Sequence, residues 1–351
     1  MNAEIPAGNT HAALWRPNRQ RSGAIQAIVA IICGIFALIS IATTVGIVLT
    51  LITETFGFFQ EISLWHFLTD VRWTPQFQSA QYGIFVLISA TVMTSGIAVT
   101  VAIPLGLLSA ICLSEYATDK TRRILKPILE ILAGIPTVVY GYFALFFVTP
   151  FLRETTDWLR PQIAPFLSAI ASLFAPDTML NRLFDPETFL KVQGFNALSA
   201  GIVLGIMITP LIASLSEDAI YAVPRSLRDG AYALGATKRE TIISVVIPAA
   251  LSGIVSSVIL AVSRAIGETM IVTLAAGQNP QPIGPDLDFI NPFIPVMTMT
   301  AYIVQVSLGD TPQGTLEART IFAVGMTLFL ITLSLNIFSF WFVRRFREKY
   351  E

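Results

Sequence analysis

The sequence predicts an all-α, polytopic membrane protein with six transmembrane helices, and three observations carry that reading. Hydrophobic residues make up 54% of the 351 positions and charged residues 13%. The mean hydropathy is +0.69. The apolar residues are gathered into six long runs, with the charges segregated between them. Soluble domains are about a quarter charged, so the composition excludes an ordinary soluble enzyme. The net charge of −1 is uninformative as a total because the charges are sorted by segment; no nucleic-acid partner is expected.

A hydrocarbon core about 30 Å thick, crossed at about 1.5 Å per helical residue, requires about 20 apolar residues per span. The runs are 24–52, 82–113, 124–152, 195–215, 242–276 and 321–343. Several exceed the minimum, which implies tilt or extension beyond the bilayer. Two weaker stretches are excluded. Residues 163–174 are too short to span and are expected to lie as an interfacial helix. Residues 291–308 contain Pro292 and Pro295, and a seventh span would carry the C-terminal cations to the outer side.

Orientation follows from the cations in short connections, which stay cytoplasmic. Arg16, Arg19 and Arg21 precede the first span. Lys120, Arg122, Arg123 and Lys126 follow the second, Arg225, Arg228, Lys238 and Arg239 follow the fourth, and Arg344, Arg345, Arg347 and Lys349 close the chain. The first connection has Arg72 alone, and the fifth has Asp286, Asp288 and Asp310 before Arg319. Both termini are therefore expected in the cytoplasm. A single membrane domain, 24–343, lies between a tail at 1–23 and a basic tail at 344–351. Its external segments are 53–81, 153–194 and 277–318, and its polar cytoplasmic loop is 216–241.

No removable leader is expected, because about twenty polar residues precede the first run and that run exceeds the 7 to 15 residues or so of a signal core. Cys33 and Cys112 fall inside spans, where packing is their expected role. With His11 and His66 the only histidines, no metal site is expected. A Gly-x-x-x-x-Gly-Lys-Ser/Thr loop is absent, since Lys120, Lys126, Lys191, Lys238 and Lys349 all follow residues other than Gly. This chain has no such nucleotide-binding loop of its own, so active transport would draw on an ion gradient or a separate subunit.

The loop 216–241 contains Arg228-Asp229-Gly230-Ala231-Tyr232-Ala233-Leu234-Gly235 and runs on to Pro248. Pro224 suits a helix start, Leu227, Ala231 and Leu234 recur at helical spacing, and Gly235 suits a left-handed exit. Small residues Gly230, Ala231 and Ala233 allow close approach of another protein, with Arg228 and Asp229 as polar contacts at the rim. An ordinary connection rich in turn residues explains Asp-Gly-Ala alone. The spacing Asp-Gly-Ala, three residues, Gly, nine residues, Val-x-Ile-Pro favours a docking loop.

Arg264 and Glu268 are isolated charges in the fifth run, since no other ionisable group occurs between Glu240 and Asp286. A spacing of four puts them on one helical face. Mid-membrane charges cost about 2.5 to 3.5 kcal/mol each on insertion scales, so they should face a bundle interior or a watery path. A register-fixing ion pair is one explanation. The other is an oxyanion contact, in which the planar fork of Arg264 binds the anion while Glu268 orients it and weakens its hold. Pro104, Gly106, Gly134, Pro136, Gly141 and Pro210 interrupt other spans, as suits helices that bend or line a path. Thr137 and Tyr140 are placed beside that path.

The docking-loop pattern resembles the Glu-Ala-Ala loop of ABC importer permeases, with Asp229 for the usual Glu and Gly230 for the usual Ala. The resemblance sharpens at Leu113-Ser114-Glu115-Tyr116-Ala117, at 132–141 ending Gly-Ile-Pro-Thr-Val-Val-Tyr-Gly, at Ala222-Val223-Pro224, at Arg264-Ala265-Ile266-Gly267-Glu268-Thr269 and at Met299-Thr300-Ala301-Tyr302-Ile303. These segments look like phosphate-specific ABC importer permeases of the PstC type, and Trp73, Pro75 and Tyr82-Gly83-Ile84 favour that type over the sister permease. The resemblance implies the type I importer fold and a place in a bacterial inner membrane. It implies a second permease of the PstA type, an ATPase dimer of the PstB type that binds MgATP, and an extracytoplasmic phosphate-binding protein of the PstS type. It also implies a path at Arg264, Glu268, Thr137 and Tyr140, and an ATPase contact at Arg228, Asp229, Gly230, Ala231, Leu234, Gly235 and Pro248. Another oxyanion as cargo, a non-transporting scaffold and an ion-coupled carrier remain alternatives.

Overall fold

The computed structural model describes residues 19–77, 79–173, 190–284, 288–312 and 314–346. Arg16, Asp286, Arg347 and Lys349, with residues 174–189 of the external segment, lie outside the described residues. The chain divides into two compact units, residues 1–53 and 54–351. The described part of the first is the N-terminal portion of α1 (Arg19–Glu61), with side chains such as Phe36 and Leu38 exposed.

The regular structure of the second unit is helical, with one isolated antiparallel bridge, Trp73 to Tyr82, among the described residues. In chain order it holds α2 (Leu64–Thr69), α3 (Ile84–Ile111), α4 (Asp119–Ala133), α5 (Thr137–Phe143), α6 (Thr149–Ala171), α7 (Ala197–Tyr221), α8 (Arg225–Ala233), α9 (Lys238–Thr241), α10 (Ile247–Ile266), α11 (Met299–Leu308) and α12 (Leu316–Phe346). Helices are what apolar runs must form in lipid, since each backbone group needs a partner within its own segment. Among the described residues of the whole chain, five helices, two of them extended by a π turn, are long and apolar enough to cross, and the bent pair Asp119–Ala133 and Thr137–Ala171 passes the same test together. At ten residues, about 15 Å, α11 is too short to span.

The expected third span, 124–152, is corrected. Its first ten residues belong to α4, which meets the continuous rod Thr137–Ala171 at 84°. Gly134 and Pro136 cause the break: proline has no N–H to continue the ladder and disfavours helix at Ile135 before it. The run read as continuous because the apolar face of α4, with Ile124, Ile128 and Ile131, abuts the apolar start of α5. The expected interfacial helix at 163–174 is corrected too. Residues up to Ala171 simply continue α6, so the rod is 35 residues and about 50 Å long.

The fifth span is interrupted where the sequence reading had one helix. α10 ends at Ile266, Gly267 caps it, and helix resumes at Met270 before a π turn, Val272–Ala276. Cys33 and Cys112, expected to pack, are both exposed.

The core is the contact of α3 with α7. A Cβ on Gly201 would lie 2.7 Å from the Ile97 side chain, and one on Gly205 would lie 2.7 Å from the Ala98 carbonyl oxygen. Gly201-x-x-x-Gly205 thus lets two backbones approach, which in lipid replaces the missing hydrophobic drive. Gly106 on α3 returns the favour against Ile212.

At the α2 end, Phe58, Phe67, Trp73, Tyr82 and Tyr302 form a buried cluster of edge-to-face rings. Burial pushes the Tyr302 phenol up to about 12, so it stays neutral beside its partner Thr320. A Cβ at Gly83 would sit 2.0 Å from the Asp70 carbonyl, which explains glycine between Tyr82 and Ile84. From this cap α3 runs 28 residues to the end of the bundle that carries α8.

Candidate functional site

The break after α10 builds the first part of the site. The Gly267 N–H donates to Ser263 O and the Glu268 N–H to Ala265 O, both at 3.2 Å. The Glu268 side chain, 4% exposed, thus leaves the helix axis and enters the protein. Its Oε1 accepts from the Met270 N–H at 3.3 Å, and its carbonyl accepts from Thr300 Oγ1 at 2.7 Å. Arg264 stays in the last turn of α10, where a cation complements the helix dipole. Its Nη2 lies 3.9 Å from Glu268 Oε2. That is ion-pair distance, longer than a hydrogen bond. The expected pair exists, but across a broken helix end and without a hydrogen bond to hold it.

The Arg264 side chain is 54% exposed and lines a cavity of about 540 Å³. Met207, Ile208 and Leu211 of α7 form an apolar wall, and Ala133 closes it from α4. Ser263 and Asn336 add polar atoms, with Ser263 Oγ donating to Asn336 Oδ1 at 3.3 Å. Neither is given a role by the sequence reading, although Asn336 interrupts the last apolar run and is the one amide side chain in 321–343. A guanidinium in a mostly apolar recess with hydroxyl and amide neighbours can bind a small oxyanion by charge-assisted hydrogen bonds.

Thr137 and Tyr140 lie beyond the α4 break. Tyr140 Oη donates to the Leu132 carbonyl at 3.2 Å, strapping α5 back to the last turn of α4. Thr137 is the first residue of α5 and is half-buried. Among the described residues lining the cavity, α4 contributes Ala133, four positions before Thr137. Thr137 and Tyr140 are not among the lining residues, and Tyr140 bridges the bend.

The second part of the site is α8. Pro224 stands at its N-cap, one place before the first turn. A Schellman ending closes it: the Gly235 N–H donates to Tyr232 O, the Ala236 N–H to Ala231 O, and Gly235 has φ 83°. Ala231 is buried and Leu227 packs on a small core cluster. Leu234, expected on that same face, is 91% exposed, because the helix unwinds before reaching it. Asp229, Gly230 and Ala233 are exposed with it, and nothing lies within 4 Å of a Cβ built on Gly230. Pro248 is exposed in the first turn of α10, joined to α8 through α9 and a π turn, Ile242–Val246.

Arg228 departs from the expected rim position and turns inward. Its Nη2 and Nε donate to Glu115 Oε1 at 2.8 and 3.1 Å, and further N–H groups reach the Ile220 and Val223 carbonyls. Beside it Glu217, wholly buried, receives Arg122 at 2.5 Å and Lys126 at 2.9 Å, and Lys126 also reaches Asp218. The Arg122 guanidinium lies 3.7 Å from the Tyr221 ring centroid. The roles of Glu115 and Glu217 were missed from sequence. A carboxylate at the end of each of two apolar runs, with four cations at 120–126, was the available signal.

With this geometry in view, residues 102–349 match the family described as binding-protein-dependent transport system inner membrane component. The probable ABC transporter permease protein YqgH of Bacillus subtilis is 31% identical, over 90% of this chain and 89% of its own length. The phosphate transport system permease protein PstC of Mesorhizobium japonicum is 36% identical, over 80% of this chain and 76% of its own. A probable phosphate transport system permease protein PstC of Methanocaldococcus jannaschii is 34% identical, over 80% of this chain and 82% of its own.

Proposed function

The chain belongs to the family of binding-protein-dependent transport system inner membrane components, and from that premise we propose that it is a permease subunit of an ATP-driven importer of inorganic phosphate. Arg264 carries the reading: a permanently charged fork, half exposed, faces a cavity of about 540 Å³ beside a helix break. Relatives named as phosphate transport permeases support the choice of anion. Phosphate accepts hydrogen bonds from the Arg264 fork in place of water. Glu268, 3.9 Å away, offers the guanidinium a second partner and repels the anion, so binding stays weak enough for passage.

MgATP is bound and hydrolysed by a pair of partner ATPase subunits, since this chain carries no P-loop motif. They dock on the exposed surface of α8 at Asp229, Gly230, Leu234 and Gly235. A second permease covers the open side of the cavity, and an extracytoplasmic binding protein delivers phosphate at the α2 end. In this reading both termini and α8 are cytoplasmic. Closure of the ATPase dimer displaces α8 and exposes the Arg264 cavity alternately to the two sides.

Uptake of radiolabelled phosphate, with sulfate and molybdate as competitors, in cells lacking this chain and complemented with wild type or Arg264→Gln, tests the proposal. Rescue by wild type alone, insensitive to the competitors, is expected. Full rescue by Arg264→Gln would make the pair structural. Competition by molybdate or sulfate would reassign the cargo, and the absence of any phosphate defect would remove the reading.

A further inference from the structure

We infer that buried Glu217 is a positioning residue that couples movement of α8 to the Arg264 cavity by way of α4; this rests on the permease reading above. The first observation is how α4 is held. None of its own residues is buried, yet it lies against α7. Its attachments to α7 include ion pairs: Arg122 and Lys126 converge on the wholly buried Glu217 carboxylate, and Lys126 also reaches Asp218. A helix held by charge pairs at one end moves when those pairs move.

The second observation is where the other end of α4 lies. Ala133, its last residue, lines the cavity that holds Arg264. Seven residues separate it from Lys126, about 10 Å of helix. Beyond it, Gly134 and Pro136 form a bend of 84° that turns α4 away from the long rod, with Tyr140 Oη bonded to Leu132 O across the bend. The helix is thus a short lever with a break at the cavity and an ionic grip at the α8 end.

The third observation links that grip to α8. Arg228 joins α8 to Glu115 and to the carbonyls of Ile220 and Val223. Ile220 is three residues from Glu217 on the last turns of α7. Displacing α8 pulls on the end of α7 through Arg228, and Glu217 passes that displacement to Arg122 and Lys126. Glu217 touches neither cavity nor α8 directly, so its effect runs through other residues.

The test uses the complete transporter, with partner permease, ATPase subunits and binding protein, in proteoliposomes, measuring phosphate moved and ATP hydrolysed in the same vesicles. Glu217→Gln and Lys126→Gln are expected to lower the phosphate moved per ATP at least fivefold, with Glu217→Asp recovering at least half of the wild-type ratio. Lys126→Gln lies at a partly exposed position and serves where Glu217→Gln fails to assemble. A ratio unchanged in an assembled variant, even with both rates reduced in proportion, would overturn the inference, as would a Glu217→Asp variant no better than Gln. Wild-type vesicles that hydrolyse ATP without moving phosphate would overturn the function proposed above together with this inference. Normal wild-type coupling with unchanged variants would overturn this inference alone.

Discussion

Arg228 and Glu115 stand 2.8 Å apart across 113 positions of sequence, the guanidinium 15% and the carboxylate 7% exposed. The pair pins α8 to the end of α3, so the element that faces outward on one side is anchored on the other. Arg228→Ala leaves Glu115 without its cation and the Ile220 carbonyl without this donor. Loss of a charged hydrogen-bonding partner at a partly buried site costs about 2 to 3 kcal/mol. A lower melting temperature of the purified protein in detergent is expected, and Arg228→Lys recovers little of it because an ammonium lacks the planar fork.

Leu234 should behave in the opposite way. At 91% exposure it supports nothing inside this chain, so Leu234→Ala leaves the melting temperature unchanged. An apolar anchor at the centre of an interface contributes about 2 kcal/mol. ATPase subunits should therefore co-purify with the variant at least tenfold less well in a pull-down titration.

Two glycines in helices make opposite predictions. Gly205→Ala drives a methyl to 2.7 Å from the Ala98 oxygen, and backbone has no rotamer with which to yield. A cost of about 1 to 3 kcal/mol follows from such overpacking. Gly230→Ala meets nothing within 4 Å inside α8 and should stabilise the helix by about 0.5 to 1 kcal/mol. Thermal unfolding of the two variants side by side reads both signs.

Tyr140→Phe removes the hydroxyl that reaches Leu132 O across the bend. The expected loss is about 1 kcal/mol, felt at the α4 hinge rather than across the fold. Phosphate uptake should fall a few-fold, with protein levels at the membrane unchanged by immunoblot.

Composition and run length were enough to read an all-helical membrane protein, and the strict spacing from Asp229 to Pro248 was enough to locate α8. What escaped was whatever depends on two runs meeting. The break at Gly134 and Pro136 was visible as residues but not as an 84° turn, because the apolar face of α4 masqueraded as more span. Arg228 read as a rim contact because its partner Glu115 belongs to a helix that sequence alone does not bring near. Glu217 and Asp218 read as loop charge for the same reason. The Arg264 and Glu268 spacing was right, but one intervening glycine ended the helix that the spacing assumed.

In the proposed reading, that glycine bears on how firmly an anion is held. Arg264 lies in the last turn of α10, where the carbonyl ends of the peptide dipoles carry a partial negative charge. Together with Glu268 they would oppose any anion drawn to Arg264. In the proposed reading the cavity is therefore built for release as much as for capture, since the groups nearest the guanidinium push against the anion it draws in.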